Sequence, residues 1–104
     1  PAISEDININ NACKELNDIA INEGQSLTNE NFTTALSNNG IFGSAQATGR
    51  TYPSWPEILA SLLEENDGAG NVLVEKANWQ KIGIDIQLDA QGNIHTIVIL
   101  NQPL

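Results

Sequence analysis

Between residues 82 and 100 the chain spells a β-hairpin, and this stretch limits the fold more than any other. Ile82, Ile84, Ile86 and Leu88 alternate strictly with Gly83, Asp85 and Gln87. A period of two predicts a strand with one packed and one wet face. Asp89-Ala90-Gln91-Gly92 follows, a turn with glycine where a positive φ is needed. The next strand, residues 94–100, breaks the alternation. Ile94, Thr96, Val98 and Leu100 point one way, yet Ile97 and Ile99 are apolar on the other side. Either a helix or loop of the chain covers that second face, or Ile97 and Ile99 form an association surface. A further short apolar run with β-branched Val72 and Val74, residues 71–76, predicts a third strand.

The first half has the helical period instead. Ile9, Ala12, Cys13, Leu16, Ile19 and Ala20 recur at steps of three and four within residues 4–24. Ser4 or Asp6 suits the N-cap of this helix, and Gly24 suits a left-handed stop. A second helix is expected from Thr28 to about Asn38, with Leu27 and Phe32 spaced as a hydrophobic staple. Residues 41–52 carry Gly43, Ser44, Gly49 and Thr51 without periodicity, which predicts a surface loop. Ser54-Trp55-Pro56-Glu57 is a capping box with proline in the first turn; Trp55, Ile58, Leu59, Leu62 and Leu63 share one face of the third helix it would start.

The expected architecture is therefore α+β: an N-terminal amphipathic helix, two shorter helices, and a C-terminal three-stranded antiparallel meander packed on helix. At 104 residues this is one domain with one modest core. Leu16, Ile19, Phe32, Leu59, Leu62, Ile84, Ile86 and Val98 are its expected members.

Charge narrows the partners. Thirteen Asp and Glu face four Lys and Arg, a net charge of -9. Phosphate backbones are bound by clustered cations, and Lys14, Lys76, Lys81 and Arg50 are scattered. Nucleic acid is thus an unsuitable partner, and positively charged proteins feel this chain at long range. No apolar run is long enough to span a membrane. The chain opens on Pro1 and contains no methionine. A removed N-terminal signal or anchor is the expectation. Abundant asparagine beside scarce lysine points, with it, to an extracellular or periplasmic setting.

The residues that carry chemistry form no catalytic signature, and no cofactor, metal or catalytic group is expected. Cys13 is alone, so it closes no intrachain disulfide; on the apolar stripe of the first helix it reads as a small core residue. A Cys13–His95 nucleophile pair is conceivable in composition, but His95, between Asn93 and Thr96, is expected to be a solvated strand residue. Glu64, Glu65 and Asp67 cluster beside Gly68 and Gly70 in a helix-ending turn, where carboxylates on a loop would suit Ca²⁺. The same three are candidates for an interaction face, with Asp85 and Asp89. Asn31-Phe32-Thr33 has the form of a glycosylation acceptor.

In the order of its elements the whole chain resembles the soluble head of a type IV pilin or pseudopilin: an amphipathic helix over residues 4–24, an irregular helix-containing segment, then an antiparallel sheet. That resemblance implies a structural subunit whose apolar N-terminal half-helix has been removed. Ile7, Ile9, Ala12 and Leu16 would then divide between the head's own sheet and neighbouring subunits, and residues 43–52 would be variable surface. The rival reading is a small acidic inhibitor or immunity-type protein that binds a basic partner. Both are non-enzymatic, and both act through protein contacts or self-assembly.

Overall fold

Asp6 sets the start of the first helix. Its backbone is extended (φ -129°, ψ 125°), and its carboxylate accepts the N–H groups of Asn8 at 2.9 Å and Ile9 at 3.2 Å. The cap caters for donors that a first turn leaves unpaired. In the computed structural model, which describes residues 3–24, 27–53 and 79–103, helix α1 runs Ile7–Glu23 and stops at Gly24, whose φ is 86°. Ser4–Glu5 lie outside that helix, against expectation, because the cap is Asp6. They form a short strand, β1, and the Asp6 N–H donates to the Ile82 carbonyl at 2.9 Å. Helix α2 spans Asn29–Asn38, capped by Thr28, whose Oγ1 accepts from the Asn31 N–H at 3.0 Å.

Three longer strands follow: β2 Ser44–Tyr52, β3 Lys81–Leu88 and β4 Ile94–Gln102. The sheet order is β1-β3-β4-β2. β1 runs parallel to β3, and β4 is antiparallel to both its neighbours. Among the described residues this is a mixed four-stranded sheet with two helices, which corrects the expected three-stranded antiparallel meander. The β3–β4 hairpin lies where the sequence places it, with Gly92 at φ 86°. The expected loop at 41–52 is instead largely a strand, paired along its whole length with β4 from Ser44↔Gln102 to Tyr52↔Ile94. Its small polar residues give it little local strand preference, so the ladder supplied by β4 decides. The predicted third helix and the 71–76 strand lie outside the described residues, as do Leu59 and Leu62.

The core lies on the face of the sheet opposite to the one the hairpin pattern predicts. Ile97 and Ile99 are 2% and 0% exposed, packed with Ile9, Ala12, Cys13 and Leu16 of α1 and Ala35 of α2. Ile84 and Ile86, expected inside, are 45% and 48% exposed. Ile19, Phe32 and Val98 are half-buried. The inversion has two causes. Gly83 sits across from Ile99 and offers no side chain, so the α1 backbone settles directly onto β3. Asn17 of α1 then donates to the carbonyl and carboxylate of Asp85, at 3.0 and 2.9 Å, which makes a helix-facing aspartate tolerable.

Candidate interaction surface

Because side chains alternate along a strand, turning Gly83, Asp85 and Gln87 toward α1 forces Ile84, Ile86 and Leu88 outward. Leu88 is 63% exposed, the most open of the three. Register places Val98 beside Ile84 and Ile94 beside Leu88 on this outer face. Ile94 is nevertheless only 1% exposed and Leu100 8%. On this outer face the exposed large apolar side chains among the described residues are therefore those of β3.

Among the described residues, the backbone of β3 also lacks a partner strand on the β1 side beyond Ile82. The Ile82 carbonyl accepts from Asp6, and the Ile84 N–H donates to Asn10 Oδ1 at 2.9 Å, so the even-numbered residues aim their peptide groups away from β4. β1 pairs only with Lys81 and Ile82. Among the described residues, no strand continues the ladder past that point.

Positive charge near this edge is already engaged. Lys14 pairs with Asp18 at 3.0 Å and Lys81 with Asp6 at 3.3 Å. Glu5, on the outer face beside Ile82, is exposed. No family model matches the chain. Neither a curated protein nor a solved structure matches it as a relative.

The expected site residues fall differently. Ile97 and Ile99 belong to the core under α1, so of the two alternatives the cover by a helix of the chain holds and the association surface at these residues is corrected. They do lie on the opposite face from Ile94 and Val98, as the pattern required. Glu64, Glu65 and Asp67 lie outside the described residues, so the calcium reading does too. Among the described residues, no three His, Cys, Asp or Glu side chains converge to hold a metal ion, and no helix is long and apolar enough to cross a membrane. Cys13 is fully buried, and loss of solvation pushes its thiol pKa up to about 12.

His95 is a second correction, since it is buried and engaged. Its Nε2 is 2.9 Å from Asp89 Oδ2, and its Nδ1 is 3.2 Å from Thr51 Oγ1. Carboxylate, imidazole and hydroxyl in sequence have the order of a nucleophile relay. Asp89, however, also accepts the N–H groups of Gln91 and Asn93, both at 2.9 Å, and so holds its own hairpin turn closed. The His95 hydrogen bond, aided by those N–H groups against the opposing effect of burial, lowers the Asp89 carboxyl to about 2. The group ties the turn to β2. Nearby, a cleft of about 220 Å³ is bordered by Asn17, Thr51 and His95. Asn17 Oδ1 is buried without a hydrogen-bond partner.

Sequence reasoning missed the Asp89–His95 pair and the outward row on β3. The pair was readable in principle, since the two residues flank one tight turn. The row was not, because β3 alone carries no sign of which face meets a helix.

Proposed function

We propose that this chain is a non-enzymatic protein-interaction domain that binds a basic partner through the outer row of β3. The carrying observation is the exposure of Ile84, Ile86 and Leu88, side by side on one strand of a chain with net charge -9. Apolar side chains in a row supply contact area, and the surrounding negative field supplies steering and choice of partner. The acidic-binder reading fits this arrangement better than a pilin-like subunit, since copies of one acidic chain repel each other. An extracellular or periplasmic setting is part of the proposal and rests on composition, with fourteen Asn beside three Lys.

The test is affinity capture from the source organism with the parent chain and with a variant carrying Ile84→Ser, Ile86→Ser and Leu88→Ser. The captured protein is then purified and its Kd measured against salt. The reading expects a basic protein, lost by the triple variant and weakened by salt. A partner held equally by both chains would refute it.

Self-assembly is favoured by one observation of its own. Ile7, at the first position of α1, is 69% exposed, while Ile9, Ala12 and Leu16 are buried. Concentration-dependent sedimentation that Ile7→Ser abolishes would support that reading instead.

A further inference from the structure

We infer that the partner is bound by strand addition: an extended segment with alternating apolar and basic residues pairs with the edge of β3 beyond Ile82, which no described strand covers. This rests on the interaction reading above and specifies its geometry.

Peptide groups along a strand point alternately to its two sides. The Ile82 carbonyl and the Ile84 N–H both face the β1 side and are both satisfied, by Asp6 and Asn10. The Ile84 carbonyl, both groups of Ile86 and the Leu88 N–H face the same way. Among the described residues they have no strand to pair with. A row of donors and acceptors that no described strand meets has the form of a template for another strand.

The side chains specify what that strand carries. A paired strand places alternate residues beside Ile84, Ile86 and Leu88 on the outer face, where apolar groups complete the row. Its other residues fall on the α1 side, near Asp18, which accepts from Gln87 Nε2 at 3.1 Å. Lysine or arginine suits those positions. A second copy of this acidic chain does not, because edge-to-edge pairing would bring like charges together.

The probe is a short capped peptide of alternating valine and lysine. A control has the same side chains, with the amides of one edge N-methylated so that it cannot pair as a strand. Binding is read from amide hydrogen exchange of the ¹⁵N-labelled protein. The expected result is slower exchange at Ile86 and Leu88 with the first peptide and no slowing with the control. Ile86→Pro removes one edge N–H at a position where an edge strand accepts proline, and it should lose the effect. Ile86→Thr keeps the N–H and should retain the protection at weaker affinity. If both peptides bind alike, strand addition is overturned, while the apolar row survives as a contact surface. Failure of the first peptide to bind, or protection of Ile86 and Leu88 in the unliganded chain, overturns it outright. So does a dimer whose formation protects these amides.

Discussion

Gly83 lies directly beneath the α1 backbone, and a Cβ built on it would stand 2.6 Å from the nitrogen of Asn10. Backbone cannot swing aside as a side-chain tip can, so Gly83→Ala must lift the helix from the strand. Overpacking of this kind costs about 1–3 kcal/mol. Gly49→Ala is the comparison, since its Cβ would meet the ends of the Ile97 and Leu27 side chains, both at 2.8 Å. Urea melts should show the larger loss for Gly83→Ala.

The two faces of the sheet respond differently to substitution. Ile99→Ala should cost about 2–5 kcal/mol, because it empties a fully buried position. Ile84→Thr and Ile86→Thr together should change stability by less than about 0.5 kcal/mol each, as exposed positions do. A double variant at Ile84 and Ile86 that melts far below the parent would show that this row is part of the core.

The hairpin pattern announced both strands and their turn, and the helical period announced α1 and α2. What it could not supply was phase. Ile84 and Ile86 look like core residues until the pairing with β4 is known. Only then does Gly83 fall opposite Ile99, and the helix choose the face that has space for it. β2 was hidden for a related reason, since Ser44, Thr48 and Gly49 take their strand form from a partner about fifty residues away. Of the surface proposed for binding, the residues were visible and their outward direction was not.

Asp89 makes stability depend on acid. Its folded pKa, about 2, lies below the ordinary 3.8, chiefly through the His95 hydrogen bond. A depressed carboxylate contributes stability that is complete above about pH 4 and is lost as pH falls toward 2. Asp89→Asn should flatten the melting temperature in that window, measured from pH 5 to pH 2. An unchanged slope would remove Asp89 as its source.

Cys13 should be silent toward thiol reagents in the native protein, because burial holds it protonated, with a pKa near 12. Maleimide labelling should appear only as denaturant unfolds the chain, with the same midpoint as the loss of helix. Rapid labelling in buffer would show that α1 opens locally.

Asn17 should be costly to truncate. Its amide donates to the Asp85 carbonyl, the Asp85 carboxylate and the His95 carbonyl, at 3.0, 2.9 and 3.3 Å. Asn17→Ala leaves these acceptors buried against the helix, a loss of about 1–3 kcal/mol in a denaturant melt.

β4 lies inside the sheet although it is the last strand along the chain. Among the described residues both other long strands, β2 and β3, pair with it, so they wait through synthesis for a ladder that comes after them. The two helices have their caps early, but the sheet they cover does not exist until residue 102 has emerged. Completion of this sheet on a nascent chain thus follows the translation of β4 and rests on contacts distant in sequence.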